Sequence, residues 1–167
     1  MVTAIGETLP ETGITPEFLV GITGHRDISI DDVDGASAKL RTLFKNVSDT
    51  FQHVPVRIAT GLAEGADTLA AEVALELGLG VVAVLPMPRD HYLQDFEGDA
   101  RVRFEALLAD DRIRILEIPL AEGRSDTDMS GQPARDEQYR LLADYLRRRS
   151  NLLVAVWDGV DANLVGG

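Results

Sequence analysis

The segment IATGLAEGAD (residues 58–67) decides the fold of this chain, because it joins a short apolar strand to a helix through a glycine turn. Gly61 and Gly65 lack a Cβ atom, so the turn can adopt positive φ values and other atoms can approach its backbone closely. The first amides of the following helix have no partner within the helix, and the helix dipole favours an anion beside them. The segment therefore predicts a phosphate-binding turn; the alternative is a capped glycine-rich corner that binds nothing.

Hydrophobic periodicity predicts alternating strands and helices on both sides of this segment. Apolar residues recur at helical spacing in three clear stretches, at 31–53, 66–77 and 134–149. A weaker helical pattern, interrupted by Gly98, covers 90–108. Short apolar runs bounded by turn residues predict five buried strands, at 18–23, 56–60, 81–85, 113–118 and 152–157. The polar stretch 120–133 is expected to form a long loop.

This order of elements predicts an α/β fold: a three-layer α/β/α, Rossmann-like domain around a mostly parallel sheet of five or more strands. Ligands of such sheets bind beyond the carboxyl ends of the strands, at the point where the strand order reverses. Four loops with unusual sequences are expected to converge there. They are TGHR (23–26), GLAEGAD (61–67), PMPR (86–89) and WDG (157–159).

Length and composition describe a single domain. The chain has 167 residues, of which 45% are hydrophobic and 26% charged, as in ordinary globular proteins. We expect residues 1–16 to be a flexible N-terminal arm and residues 17–167 to form one domain. Because no apolar run is long enough to span a bilayer, we expect no membrane contact. The absence of cysteine and of a secretory leader pattern favours a cytoplasmic location.

The charge balance limits the classes of partner. Sixteen basic and 28 acidic residues give a net charge of −12, which would repel a polyanion over most of the surface, so nucleic acid is a disfavoured partner. A small phosphorylated ligand is less affected, because local amides and one or two arginines dominate inside a pocket. The histidines at 25, 53 and 91 do not have the spacing of metal ligands, so no metal site is expected.

Four motifs together resemble the SLOG superfamily of nucleotide-binding domains, which unites DNA-processing protein A (Smf) with the Lonely Guy cytokinin-activating hydrolases. The motifs are TGHR (23–26), TGLAEGAD (60–67), VLPMP (84–88) and VAVWDG (154–159). The stretch TGLAEGADTLAA (60–71) is especially similar to the SGLA-x-G-ID-x-x-A loop of the DNA-processing proteins. The resemblance covers residues 18–167 and implies a Rossmann-like nucleotide-binding domain of a kind that often forms homodimers.

The resemblance also implies a pocket for a small phosphorylated nucleoside, with a bound nucleotide as the one cofactor. Arg26 is expected to pair with phosphate, Asp158 to accept hydrogen bonds from ribose hydroxyls, and Trp157 to stack on a base. For Asp158 the alternative is turn capping, and for Trp157 it is core packing. The ligand-binding candidates are Thr23, Gly24, His25, Arg26, Thr60, Gly61, Leu62, Ala63, Glu64, Gly65, Ala66, Asp67, Pro86, Arg89, Gln138, Trp157, Asp158, Gly159, Gly166 and Gly167.

Two functions of different classes fit these motifs. The preferred one is binding of a nucleotide or nucleotide-derived ligand by a sensor or recognition module of a longer protein. The alternative is a nucleoside 5′-monophosphate phosphoribohydrolase, with Arg135, Glu64 and His25 as catalytic candidates. Single-stranded DNA binding is a third interpretation, which the net charge disfavours.

The end of the chain bears on this choice. The hydrolases carry a Pro-Gly-Gly-x-Gly-Thr loop followed by a helix with a catalytic glutamate, whereas this sequence stops at Val165-Gly166-Gly167, where such a loop would begin. A phosphate loop needs the helix behind it to organise its amides. We therefore expect the domain to be truncated at its C-terminus.

Overall fold

A computed structural model describes residues 16–26 and 30–157 of the chain. The first half contains β1 (Phe18–Gly24), α1 (Ile30–Thr50), β2 (Val56–Thr60), α2 (Ala66–Glu76) and β3 (Gly80–Leu85). The second half contains α3 (Arg89–Tyr92), a 3-10 turn (Leu93–Asp95), α4 (Gly98–Leu108), β4 (Ile113–Glu117), a second 3-10 turn (Asp126–Ser130), α5 (Gln132–Arg149) and β5 (Leu152–Val156). The predicted alternation of strands and helices is confirmed.

The five strands form one parallel sheet in the order β4-β3-β2-β1-β5. The first three crossovers run in the same direction along the sheet, so right-handed connections place α1, α2 and the helices between β3 and β4 on one face. The crossover from β4 to β5 runs in the opposite direction and places α5 on the other face. The strand order therefore reverses between β1 and β5, which is where a sheet of this class binds ligands.

The core is split between the two faces of the sheet. The larger cluster packs Ile22 and Ile58 of the sheet against Phe44 of α1 and the alanine-rich side of α2. The smaller cluster packs Ala59 of β2 and Val82 and Val84 of β3 against α5. Because β2 and β3 are covered on both sides, nearly all their residues are buried and apolar, as a continuous hydrophobic run predicts.

Two predicted segments differ from the structure. The single helix predicted over 90–108 is broken into α3, a 3-10 turn and α4, because α4 begins at Gly98 in a left-handed conformation with φ of +51°. The predicted loop 120–133 contains a 3-10 turn closed by reciprocal hydrogen bonds between Ser125 and Asp128. Helix α5 begins at Gln132, two residues earlier than predicted, because Pro133 is compatible with a first helical turn.

Several expectations concern residues outside the described ranges. These are the flexible arm, apart from its last residue, and the candidate ligands Asp158, Gly159, Gly166 and Gly167. Within residues 16–26 and 30–157, no helix combines the length and the apolar character needed to cross a bilayer.

Candidate functional site

The loops that follow β1 and β2 meet at the N-terminus of α2. The Ala66 amide donates a hydrogen bond to the His25 carbonyl oxygen at 3.1 Å, and the His25 amide donates to the Val156 carbonyl oxygen at 3.3 Å. These bonds tie the end of β1 to α2 on one side and to β5 on the other. The point of strand reversal therefore lies beside a helix N-terminus, as the Rossmann-like prediction requires.

The loops after β1 and β2 and the N-terminus of α2 together form what we call the β2–α2 corner. The protein's own packing requires the glycines of this corner. A Cβ atom on Gly24 would lie 2.5 Å from the Val156 carbonyl oxygen, and one on Gly61 would lie 2.8 Å from the Leu142 side chain. Gly65 has φ of +79°, and a Cβ there would lie 2.5 Å from the His25 carbonyl oxygen and closer still to that of Arg26. The small size of Gly61 and Gly65, which in the sequence suggests close approach of a ligand, accommodates the protein's own atoms in the structure.

Asp67 lies in the first turn of α2, and its carboxylate points back into the β2–α2 loop. Its side chain is only 8% exposed, and its carboxylate accepts hydrogen bonds from the Thr60 hydroxyl and the amides of Ala63 and Gly61. Burial raises the pKa of this carboxyl from 3.8 to about 6, although those hydrogen bonds and the nearby Arg26 charge oppose the increase. Asp67 thus occupies part of the cradle that the sequence assigned to phosphate.

The remaining loop amides divide into two groups. The Leu62 amide donates to the Thr60 hydroxyl oxygen at 3.2 Å, and this bond accompanies a left-handed Leu62 backbone with φ of +56°. Among the described residues, the amides of Glu64 and Gly65 have no acceptor within hydrogen-bonding distance. These two amides are the donors that the loop can offer to a ligand, and the Glu64 side chain beside them is exposed.

A chain of polar contacts connects Arg26 to the interior. The guanidinium carbon of Arg26 lies 5.2 Å from the centre of the Tyr139 ring. The Tyr139 hydroxyl donates a hydrogen bond to one carboxylate oxygen of Asp95, and Arg135 forms an ion pair with the other. Burial and the hydrogen bond to Asp95 raise the pKa of Tyr139, so this phenol remains a neutral donor. A hydrogen bond from the Arg26 guanidinium to the same hydroxyl, together with the Arg26 charge, opposes the increase.

Tyr92 closes the corner from the side of α3. It is completely buried, and its hydroxyl donates to the Gly61 carbonyl oxygen at 3.0 Å. Burial raises its pKa well above the ordinary value, so it too stays protonated. Its ring also packs edge-on against Tyr139, with 6.3 Å between the ring centres. Tyr92 therefore links the β2–α2 loop to the polar chain that ends at Arg26.

Arg135 and Gln138, both proposed from the sequence, are committed to contacts within the protein. Arg135 is 8% exposed and donates to the carbonyl oxygens of Met129 at 2.8 Å and His91 at 3.3 Å, besides its ion pair with Asp95. The Gln138 side chain is fully buried; it donates to the Pro86 carbonyl oxygen at 2.6 Å and accepts from the Ala121 amide at 2.8 Å. Both side chains hold α5 against the loops after β3 and β4.

The other candidates lie around this corner with different exposures. Thr60 is fully buried, and Thr23 and His25 are half-buried. The Arg89 amide at the start of α3 donates to the Glu117 carboxylate at 3.2 Å, and Arg89 itself is exposed. Trp157 is 60% exposed at the end of β5. The structure thus brings together the β1 and β2 loops and places Trp157 at the neighbouring strand end.

Tyr92, Asp95 and Tyr139 are the site residues that sequence reasoning missed. Each lies in a helical or turn segment whose apolar pattern predicts core packing, and Tyr92 does lie in the core. The signal available in the sequence was a polar atom on an aromatic core residue, because a buried phenol needs a hydrogen-bond partner. That signal does not identify the partner.

A cavity at the amino ends of the strands is a poorer candidate for an anion site than the loops after β1 and β2. It has a volume of about 480 Å³ and is bordered by the ends of α1 and α2, the start of β2 and the turn before β3. The C-terminal ends of two helices present partial negative charge to it. Arg57, which lines it, is paired with the Glu17 carboxylate at 2.7 Å.

Within 16–26 and 30–157, no three histidine, aspartate or glutamate side chains are grouped so that they could hold a metal ion. The donors that the loops after β1 and β2 offer to a ligand are the Glu64 and Gly65 amides and the Arg26 guanidinium, which suit an anion.

Comparison with known proteins supports the fold. No protein-family model matches the chain, and no curated protein matches it. Among solved structures, DNA processing protein A (DprA) from Streptococcus pneumoniae is similar, with a TM-score of 0.50 and 20% identity over 84% of this chain and 41% of that one. The chain thus spans about two fifths of that protein's length. At this identity the similarity concerns the fold, so the chain is a Rossmann-like α/β domain related in fold to DprA.

Proposed function

We propose that this domain binds a nucleotide or nucleotide-derived ligand through its phosphate, at the carboxyl ends of β1 and β2, as a SLOG-type recognition module. The observation that carries the proposal is the pair of amides at Glu64 and Gly65. They lie at the N-terminus of α2 with no acceptor among the described residues, and the Arg26 guanidinium is close enough to influence the neighbouring Asp67. Free amides, a helix N-terminus and an arginine are the groups that bind phosphate in proteins.

The buried position of Arg135 weighs against the hydrolase alternative. A phosphoribohydrolase needs an arginine and a carboxylate that can reach the substrate, and the Arg135 side chain is buried and bound to Asp95 and two carbonyl oxygens. Asp67 is likewise directed into its own loop. Glu64, the carboxylate among the catalytic candidates, lies exposed beside the donor amides, so release of adenine from AMP is the measurement that separates hydrolysis from binding.

The test is calorimetric titration of the chain with AMP and with adenosine, which differ only in the phosphate. We expect AMP to bind at one site and adenosine to bind at least about tenfold more weakly, because charge-assisted hydrogen bonds are among the stronger polar contacts. Arg26→Ala should reduce the affinity for AMP by about tenfold and leave that for adenosine unchanged. Arg101→Ala, which removes an exposed arginine on α4, is the matched control for net charge and should leave AMP binding unchanged.

Three results would contradict this function. One is the absence of binding with AMP, NAD and ADP-ribose, and another is equal affinity for AMP and adenosine. The third is release of adenine when AMP is incubated with the protein, which would support the hydrolase alternative instead. An oligonucleotide of deoxythymidine, titrated in parallel at low salt, tests the single-stranded DNA alternative; tighter binding than AMP would replace the proposal with that function.

A further inference from the structure

Arg26 stands over a support that extends into the protein interior. Its guanidinium lies over the Tyr139 ring, and the Tyr139 hydroxyl donates to Asp95. Asp95 is fixed by the ion pair with Arg135, which is itself held by two backbone carbonyl oxygens. The four side chains therefore form a series of contacts that begins in the buried base of α5 and ends at the candidate pocket.

We propose that Tyr139 positions the Arg26 guanidinium for the phosphate of the ligand, with Asp95 and Arg135 holding the Tyr139 side chain in place. This inference rests on the proposed function of the same site. It makes Tyr139 a positioning residue that acts through Arg26, and it gives Arg135 a supporting role two contacts away from the ligand.

The physical reason is the conformational entropy of arginine. A free arginine side chain loses much of its rotamer freedom when it binds an anion, and that loss reduces the affinity. A guanidinium that already rests on an aromatic ring has lost part of this freedom before the ligand arrives, and the ring face attracts its positive charge. Asp95 forms its ion pair with Arg135 rather than with Arg26, although its charge also contributes to the raised pKa of Arg26.

The hydroxyl of Tyr139 contributes in two ways, because it fixes the ring and accepts a hydrogen bond from the Arg26 guanidinium. Tyr139 is only partly buried, so apolar packing alone leaves its ring less restrained than a core ring. The hydrogen bond to Asp95 anchors the far end of the ring, and the edge-on contact with Tyr92 restricts it from the side. The ring is therefore held from two directions under the guanidinium.

A double-mutant cycle with AMP as the probe tests this inference. Tyr139→Leu removes the ring and should weaken AMP binding by about fivefold, while adenosine binding stays unchanged. In the Arg26→Ala background, Tyr139→Leu should have no further effect, since the residue that it positions is already gone. Tyr139→Phe keeps the ring and removes the hydroxyl, with its hydrogen bonds to Asp95 and to the Arg26 guanidinium. It should give a smaller loss than Tyr139→Leu because the ring face remains, and it also serves if the leucine variant does not fold.

The chain offers a matched control. Tyr145 lies on the same helix, and the Arg149 guanidinium lies 6.0 Å from its ring centre. Tyr145→Leu removes the same kind of cation–aromatic contact. Tyr145, however, packs against the smaller core cluster, whereas Tyr139 packs against the larger one. Tyr145→Leu should leave the affinity for AMP unchanged.

A measurement without ligand separates this inference from the proposed function. In an NMR spectrum of the arginine Nε–H groups, the Arg26 signal of the wild type should show a ring-current shift that Tyr139→Leu abolishes and Tyr145→Leu preserves. If this holds and AMP does not bind, the proposed function is wrong and the support of Arg26 stands. If AMP binds and the losses of binding free energy caused by Arg26→Ala and Tyr139→Leu are additive, the inference is wrong. It is also wrong if the chemical shift of the Arg26 Nε–H group does not change in Tyr139→Leu.

Discussion

Asp67 is the residue on which local pattern and tertiary environment differ most. In the sequence it is one acidic residue in the first turn of a helix. The helix dipole stabilises a carboxylate at that position, and such a carboxylate normally faces solvent. In the structure its side chain turns back toward the β2–α2 loop, and the residue is 8% exposed. The carboxylate accepts hydrogen bonds from the Thr60 hydroxyl and from two backbone amides. Burial disfavours its charged form, so its protonation becomes coupled to folding.

Asp67→Asn should remove a pH-dependent component of stability. The folded carboxyl has a pKa of about 6 against 3.8 in the unfolded chain, so the folded state holds this proton more tightly. The stabilisation is complete below about pH 3.8 and is lost as the pH rises through about 6. Relative to Asp67→Asn, the free energy of unfolding of the wild type should fall by about 2–3 kcal/mol across that window.

Urea denaturation at a series of pH values measures this difference. Asp49→Asn, which changes an exposed carboxylate of α1, is the control and should follow the wild-type pH profile. Parallel profiles for the wild type and Asp67→Asn would mean that Asp67 does not titrate in this window.

At the scale of elements, the β2–α2 corner joins two strands of the sheet to a helix. Helix α2 begins at Ala66, whose amide is bonded to the end of β1, and Gly24 packs its Cα against both α2 and β5. The corner is therefore a joint between β1, β5 and α2 as well as a candidate anion site. A change that displaces the start of α2 should affect both stability and ligand binding.

Gly65→Ala tests the corner against a matched glycine. Gly65 and Gly78 both have positive φ, at +79° and +75°, but a Cβ on Gly78 meets nothing within 4 Å, whereas one on Gly65 meets two carbonyl oxygens. Gly78→Ala should cost about 1 kcal/mol of unfolding free energy, from the left-handed backbone alone. Gly65→Ala should cost at least about 3 kcal/mol and also weaken AMP binding, because the His25 and Arg26 backbone must move.

Chemical denaturation gives both energies, and Gly78→Ala is the reference for the cost of a positive φ, to which Gly65 adds a ψ of −121°. Equal losses for Gly65→Ala and Gly78→Ala would show that the β1 loop is not packed against Gly65.

At the scale of the whole molecule, net charge and topology act on different properties. The charge of −12 acts over the entire surface and opposes compaction through self-repulsion. Topology acts locally: the reversal between β1 and β5 opens a place for a ligand at one end of the sheet only. A positive pocket can therefore exist on an acidic protein, because a few groups dominate at short range.

Added salt should stabilise this protein. Screening weakens the self-repulsion of the −12 charge, so the thermal unfolding midpoint should rise by a few degrees between about 10 mM and about 300 mM sodium chloride. Salt also weakens surface ion pairs such as Arg103–Glu72, but exposed pairs contribute little to stability. A midpoint that falls with salt in a calorimetric scan would show that the ion pairs outweigh the repulsion.

The sequence by itself determined the class of fold and the ends of most elements. The apolar runs of β2 and β3 identify strands covered on both faces, and Gly78 follows α2 in the left-handed conformation that ends helices. These features depend on periodicity and on residues close together in the chain, so they can be predicted locally. The break at Gly98 was missed because a single glycine does not reveal which conformation it adopts.

Only the tertiary structure decided how the candidate site is assembled. Tyr139 and Asp95 are 44 positions apart, as are Arg135 and the His91 carbonyl oxygen, and no local pattern encodes such a contact. The tertiary structure also directs Asp67 inward, occupies the glycine positions with the protein's own atoms and leaves the Glu64 and Gly65 amides as donors. The reason is physical: periodicity states which face of an element is buried, whereas the groups that meet there depend on how the elements pack.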